Sequence, residues 1–234
     1  MNVLISGMGQ MGQKIRSLAE ARGDQVLALV DAMHLDLLQG LEAADVLIDF
    51  SHRNNLSWIA DYVRENECPL VCGTTGLTEE DLTLLHELSE EVPVFYSSNY
   101  SYGVAVLLKL LETAVPLLSE SFDMELTETH HRKKQDAPSG TAKSILQILN
   151  QSGAFEEVYG RHGQVGARKT EIGVHSLRGG TEAGEHTVYF FGDNESITIS
   201  HRATDRGIFA SGALRAADFI YCTAPGFYGM KDLI

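Results

Sequence analysis

An α/β protein with a parallel sheet in its first part and an open mixed or antiparallel sheet in its second is predicted from three observations. Apolar strand-like runs alternate with helical periodicity over residues 1–100, the pattern of a parallel sheet covered on both faces. A glycine-rich turn, Gly7-Met8-Gly9-Gln10-Met11-Gly12, joins the first strand to the first helix. After Asn99 the pattern changes, and strands with period-two alternation follow one another.

Met1 to Ser6 reads as a strand, Lys14 to Arg22 as a helix and Gln25 to Val30 as a second strand ending at Asp31, which starts a βαβ unit. Asp45 to Phe50 is another apolar run, Leu56 to Asn66 is helical, and Pro69 to Cys72 is a strand bounded by Gly73-Thr74-Thr75-Gly76. Thr78 to Leu88 reads as a helix with Thr78 as N-cap. Its third residue on is Asp81 rather than Glu or Gln, so an incomplete capping box is expected. Val92 to Tyr96 follows as a strand. Val104 to Val115 is a long apolar helix that Pro116 should stop or kink. Phe122, Met124 and Leu126 alternate with polar residues and open a half-buried strand. Glu171 to Arg178, His186 to Phe191 and Ser196 to His201 form three β-rich runs, the last two joined by a hairpin turn at Gly192-Asp193-Asn194-Glu195. Phe209 to Cys222 is helical and stops at Pro225-Gly226.

Composition narrows the function classes. With 44% hydrophobic and 21% charged residues in 234, the chain can bury a substantial core and is not disordered. Lys plus Arg number 18 against 32 Asp plus Glu, a net charge of -14 that opposes loose binding to nucleic acid or an anionic membrane. An anionic substrate needs a local basic site. Met1 to Gly12 carries no secretory signal pattern and no apolar run is long enough to span a bilayer, so a cytoplasmic protein is expected. Cys68, Cys72 and Cys222 lack zinc-ribbon spacing and read as reduced thiols, with Cys72 packing rather than acting as a nucleophile. His162, His175, His186 and His201 are dispersed and read as structural, and no metal is expected.

The glycine turn carries the first functional signal. Gly7 permits a tight turn, Gly9 lets backbone approach a pyrophosphate and Gly12 permits close helix packing, while helix N-terminal amides hold phosphate. Asp31 follows Gly12 by 19 residues at the end of the second strand, where it can accept from an adenosine ribose hydroxyl. The alternative is a glycine-rich turn with no ligand. Ala32 and Met33 after Asp31 leave no adjacent Arg or Lys for a 2′-phosphate, which favours NADH over NADPH, although a more distant base such as Arg53 could contribute.

The second signal is the run Glu128 to Thr141, whose Arg132, Lys133 and Lys134 oppose the charge of the chain. Period-two geometry puts Glu128 and His130 on one face and His131 on the other. Ser139-Gly140-Thr141 precedes a helical run from Ala142 to Leu149, so a carboxylate could dock on those amides and hydroxyls. A solvated basic loop and a helix cap are the plain alternatives. Beside a nucleotide fingerprint, however, a His, a Lys and an anion cap supply a proton donor and substrate anchors.

The run EtHHrkKqDAPSGT from Glu128 to Thr141 closely resembles the signature of the 4-hydroxy-tetrahydrodipicolinate reductase (dihydrodipicolinate reductase) family. The N-terminal GMGQMG, Asp49-Phe50-Ser51, Cys72 to Gly76, Ser98 to Ser101, His175 to Gly180 with Gly184-Glu185-His186, and Pro225 to Tyr228 extend the resemblance over nearly the whole chain. The resemblance implies a Rossmann-like nucleotide domain, here residues 1–101 and 209–234, and a substrate-binding and oligomerisation domain with an open mixed sheet, residues 102–208. It also implies a cleft closed by hinge motion, a homotetramer, and NAD(P)H-dependent reduction of a cyclic imine dicarboxylate in diaminopimelate and lysine biosynthesis. By motif position it assigns acid/base chemistry to His130 and proton donation to Lys134. His131, Gly140 and Thr141, with Ser139, fall at substrate positions, while Gly73, Thr74, Thr75 and Ser98, Asn99, Tyr100, Ser101 surround the nicotinamide end of the cofactor. The chain is short between Asp31 and Asp45 and around Phe155 to Arg168. The HHrkKqDAPSGT run argues against a different amino-acid dehydrogenase, and the presence of both His130 and Lys134 argues against a catalytically idle NAD-binding regulator.

Overall fold

The computed structural model describes residues 1–234, which form two compact units, residues 1–102 with 207–234 and residues 103–206. In the first unit the chain runs through β1 (Asn2–Ser6), α1 (Gln10–Ala21), β2 (Gln25–Val30), β3 (Val46–Asp49), α2 (Leu56–Glu65), β4 (Leu70–Cys72), α3 (Glu79–Ser89) and β5 (Pro93–Tyr96). It later returns as α6 (Gly207–Ile220) and β11 (Gly226–Tyr228). The sheet order is β11-β5-β4-β3-β1-β2, parallel throughout. Because β2 lies on one side of β1 and β3 on the other, the winding direction reverses between β1 and β3. Ligands of such sheets bind at that point, beyond the carboxyl ends of the strands.

Alternate strand residues are buried on both faces, as the unbroken apolar runs require. Leu4, Leu47, Leu70 and Val94 pack with Ile59 and Val63 of α2 and Leu85 and Leu88 of α3. The opposite face, with Val3, Ile5, Ile48, Val71 and Phe95, lies under α1 and α6. A Cβ built on Gly212 of α6 would stand 1.7 Å from the Tyr100 carbonyl oxygen, so this helix docks backbone to backbone.

The second unit contains most of α4 (Tyr102–Leu118), then β6 (Asp123–His130), α5 (Gly140–Leu149), β7 (Glu156–Tyr159), β8 (Glu171–Arg178), β9 (Gly184–Gly192) and β10 (Glu195–Ala203). Its sheet is mixed, in the order β10-β9-β6-β8-β7, with β6, β8 and β7 parallel and β9 antiparallel to both its neighbours. Met124 and Leu126 meet Leu107 and Leu111 of α4 and Ile145 and Leu149 of α5 on one face. Glu125 points to the other face, where Arg161 forks onto both its oxygens at 3.0 and 2.8 Å, His175 approaches at 2.9 Å, and Arg168 also pairs with it. Gly173 makes room, since a Cβ there would overlap the Glu125 carboxylate.

The predicted fold class is observed, with local differences. Helix α1 starts at Gln10 rather than Lys14, inside the glycine motif, because Gly9 already takes the extended N-cap geometry. The capping box at Thr78 is complete: Asp81 accepts from the Thr78 amide at 2.8 Å while its own amide donates to Thr78 Oγ1 at 3.3 Å. The shorter acid still reaches, and Arg53 holds it from the other side at 2.8 Å. Pro116 does not end α4, which continues to Leu118; only one amide is lost in the final turn, and Ser119 still donates to the Val115 carbonyl. The hairpin at residues 192–195 forms with Asn194 at φ +66°. Strands β7 and β11 were not expected.

Two outcomes follow from these contacts. Burial alone would raise the Glu125 carboxyl, but Arg161, His175 and Arg168 outweigh it and hold it at about 2, below its ordinary 4.5. A carboxyl lowered by folding stabilises fully above its unfolded value and loses that effect as pH falls through its folded value. The loop at residues 160–170 is therefore expected to become a pepsin target as pH drops from about 4.5 towards about 2, and in Glu125→Gln already at the upper end; equal cutting rates in both proteins throughout would show that Glu125 does not hold the loop. Gly212→Ala should cost roughly 1–3 kcal/mol in urea unfolding, through overpacking against Tyr100, and an unchanged midpoint would contradict the docking.

Candidate active site

In the first unit the glycine turn lies at the winding reversal. Gly7 has φ +116° and its amide donates to the Val30 carbonyl at 2.8 Å; a Cβ there would stand 2.5 Å from the Phe50 carbonyl oxygen. A Cβ on Gly12 would stand 1.8 Å from the Gly7 carbonyl oxygen, so that glycine chiefly admits the turn's own backbone. Gly9 has open space around its Cβ position. It provides no side-chain cap, and the first turn of α1, which begins Gln10, Met11, Gly12, carries no acid. The positive end of α1 is thus left for an anion to neutralise, a donor set that fits a pyrophosphate.

Asp31 follows β2. Its Oδ1 accepts from the Met33 amide at 3.0 Å and meets His34 Nδ1 at 2.7 Å, contacts that hold its carboxyl below the ordinary range. A base therefore does stand beside Asp31, supplied by a histidine three residues on. Arg53 is engaged elsewhere, with Asp81 and Thr78. Buried Asn55 anchors this segment, its Oδ1 accepting from the Ala32 amide at 2.9 Å and the Trp58 indole at 3.1 Å.

A cavity of about 280 Å³ opens between the glycine turn and the ends of β3, β4 and β5, lined by Met11, Phe50, Ser51, Gly73, Thr74, Thr75, Ser98, Tyr100 and Phe209. Phe50 shapes it twice: its carbonyl limits Gly7, and its ring lies 2.4 Å from where a Gly73 Cβ would be. Tyr100 is buried, its ring 5.1 Å from that of Phe50 and its hydroxyl turned inward to the Cys72 and Phe95 carbonyls. Asn99 Oδ1 accepts from the Ser101 amide, which sets the turn into α4. Behind the cavity wall, fully buried Asp49 accepts from Ser51 Oγ at 2.5 Å and Thr74 Oγ1 at 2.6 Å; burial pushes its carboxyl up against those hydrogen bonds. Burial also pushes the Cys72 thiol well above its usual value, which disfavours the thiolate a nucleophile needs.

In the second unit, Glu128 and His130 share the helix-covered face near the end of β6, as the alternation predicts. The His130 ring is mostly buried at the carboxyl end of β6, the central strand of the sheet, not in a hydrophilic loop. Glu128 is fully buried; its Oε2 lies 2.5 Å from His130 Nδ1 and its Oε1 2.6 Å from an Arg178 guanidinium nitrogen. Burial would raise this carboxyl, but His130 and Arg178 hold it far below the carboxylate range. His186 is the register partner of Glu128 across β9, and its ring stands edge-on to that of His130 at 5.1 Å. Burial, and then the neighbouring His130, push His186 down to about 4, so it is neutral near pH 7. Ser139 Oγ meets His186 Nε2 at 3.0 Å and accepts from the Ala142 amide at 3.2 Å, which makes it both N-cap of α5 and support of His186.

The remaining motif residues are distributed around this cluster. Gly140 is exposed and Thr141 half-buried in the first turn of α5. Lys134 Nζ pairs with Asp136 at 2.8 Å, and His131 turns instead to Arg206 at 3.3 Å. Polar atoms of Glu128, His130 and His186 lie within 4.8 Å of one another, a grouping able to hold a metal that chain spacing did not reveal. Arg178 pairs with Glu128 Oε1 and Ser139 with His186 Nε2, whereas Glu128 Oε2 and His130 Nδ1 meet only as an ion-pair contact and His186 Nδ1 is buried without a hydrogen-bond partner. Arg178, which the sequence reading did not single out, and His186, which it read as structural, complete the cluster around Glu128. Their only signal was membership of the HSLRGG and GEH segments.

The chain is similar to known proteins along its whole length. Residues 1–100 match the family described as dihydrodipicolinate reductase, N-terminus, and residues 103–234 match dihydrodipicolinate reductase, C-terminus. The 4-hydroxy-tetrahydrodipicolinate reductase of Caldanaerobacter subterraneus subsp. tengcongensis is 43% identical over 238 residues, covering 97% of this chain and 94% of its own. The protein of the same name from Staphylococcus epidermidis is 42% identical over 243 residues, covering all of both chains. Among solved structures, dipicolinate-bound dihydrodipicolinate reductase from Paenisporosarcina sp. TG-14 has the same fold, with a TM-score of 0.80 at 22% identity over 100% of this chain and 99% of the other. With both halves matched and relatives aligned from end to end, the chain belongs to the dihydrodipicolinate reductase family.

Proposed function

We propose that this protein reduces 4-hydroxy-tetrahydrodipicolinate, or the dihydrodipicolinate derived from it, to tetrahydrodipicolinate with NAD(P)H, in diaminopimelate and lysine biosynthesis. The observation that carries this reading is the end-to-end identity of 42–43% to 4-hydroxy-tetrahydrodipicolinate reductases. The open Gly9 and the uncapped start of α1 support nucleotide binding by the chain itself.

When bound, the reduced nicotinamide supplies a hydride. The proposed tasks of the chain are to hold its carriers and to deliver a proton. In this reading Gly7, Met8, Gly9, Gln10, Met11 and Gly12 hold the pyrophosphate, and Asp31 offers its Oδ2 to the adenosine ribose while Oδ1 stays with His34. Gly73, Thr74, Thr75 and the segment Ser98 to Ser101 border the nicotinamide. On the second unit, Ser139, Gly140 and Thr141 at the start of α5, with His131, bind a substrate carboxylate. His130 and Lys134 carry the proton, matching the anionic intermediate with local positive charge. The homotetramer belongs to the same proposal, supported by the stacked Tyr189 and Phe191 on the sheet face away from α4 and α5. So does a cytoplasmic location; no helix is long and apolar enough to cross a membrane.

NADH oxidation in the presence of freshly generated dihydrodipicolinate precursor tests the activity; oxidation absent with both nucleotides would overturn it. Asp31→Ala is expected to raise the KM for NADH about tenfold with a smaller change in kcat, the pattern of lost uniform binding. NADH is expected to be preferred, and a large kinetic advantage for NADPH would show that His34 or another base reads the 2′-phosphate. His130→Gln and Lys134→Gln should each lower kcat roughly 100-fold or more while NADH binding persists. They separate in stability: His130→Gln leaves the buried Glu128 to Arg178 and Ser176 and should cost about 1–3 kcal/mol, whereas Lys134→Gln loses an exposed pair and should cost at most about 1 kcal/mol. Parental turnover in both variants would remove the proton-delivery role.

A further inference from the structure

Glu128 belongs to none of the roles above, yet it is the only acid buried in the second unit with no solvent contact. It sits between two register partners, Ser176 of β8 and His186 of β9, so its carboxylate is fixed by the sheet on both sides. A carboxylate in that position is stable only if paired. Arg178 meets one oxygen and is itself clamped by donating to the Asp136 carbonyl at 2.8 Å. The other oxygen faces His130 Nδ1. The second imidazole in the cluster does not compete for this charge, because His186 is neutral and tied to Ser139. The other side of the His130 ring is kept open by Gly184, where a Cβ would stand 3.0 Å from Nε2.

We propose that Glu128, clamped by Arg178, is a positioning residue that keeps a proton on His130 Nδ1 and thereby leaves Nε2 as the atom through which His130 exchanges its proton. The negative oxygen beside Nδ1 favours the proton there in both charge states of the ring, as carboxylates do for other working histidines. Glu128 remains ionised and acts on the reaction only through the ring. The inference rests on the reading of His130 as a proton-delivering residue.

Glu128→Gln, His130→Gln and the double variant of the full chain test it, assayed with NADH and the dihydrodipicolinate precursor, alongside ¹⁵N spectra of the histidine ring nitrogens. Glu128→Gln should lower kcat about tenfold or more, with substrate KM and NADH dissociation changed less than about twofold. In the His130→Gln background the same change should cost less than about twofold, because coupled residues act as a unit. The His130 signals should show the Nδ1–H form in the parent and a mixture of tautomers in Glu128→Gln. Unchanged kcat in Glu128→Gln, an equal loss in both backgrounds, or an unaltered tautomer would each overturn the proposal. Should Glu128→Gln fail to fold, Glu128→Asp enters the same cycle with the same outcomes. If the parent leaves the substrate untouched, the proposed function falls, while the ring-nitrogen spectra still decide whether Glu128 holds the His130 proton.

Discussion

A carboxylate with no access to water has to be matched by positive charge, and in the second unit that constraint organises the sheet, the basic loop and the start of α5 together. Glu128 lies between Arg178 on β8 and His130 two residues along its own strand. Removing either partner leaves the buried carboxylate less fully compensated, which costs more than losing a surface pair. Arg178 also grips the Asp136 carbonyl, so the loop bearing Lys134 is tied to the same charge. Through His186 and Ser139 the cluster reaches the N-terminus of α5, where Ser139 Oγ accepts from the Ala142 amide. Net acidity of the chain and local basicity at the end of β6 are thus compatible.

The first unit solves a packing problem with a single residue. Phe50 limits Gly7 with its carbonyl and Gly73 with its ring, so the glycine turn and the Gly73 to Thr75 loop are set against one shared wall. Asp49, one residue earlier, anchors the hydroxyls of Ser51 and Thr74 from behind. The segment Asp49-Phe50-Ser51 therefore shapes the cavity even though it carries no charge into it.

Much of this was legible in the sequence because it depends on short-range periodicity. Unbroken apolar runs gave the parallel sheet, and period-two alternation placed Glu128 with His130. Strands β7 and β11 escaped because they are four and three residues long and only partly buried, so no hydrophobic pattern marks them. Local chemistry was misjudged at two places: Asp81 is long enough to complete a capping box, and Pro116 falls where a helix can lose one amide without ending. Arg178 and His186 were out of reach, since Arg178 meets Glu128 across 50 positions and His186 meets Ser139 across 47. Only strand register brings them together.

In the proposed reaction a hydride from the nucleotide and a proton held by the chain saturate one carbon–carbon bond of the substrate ring. It is tested most directly by running the reaction with nicotinamide deuterated at C4 in ordinary water, and again with unlabelled nucleotide in heavy water, and locating the label in the product by NMR. Nucleotide deuterium is expected on ring carbon C4 and solvent deuterium on the neighbouring carbon. Nucleotide label lost to water, or absent from the product, would contradict it.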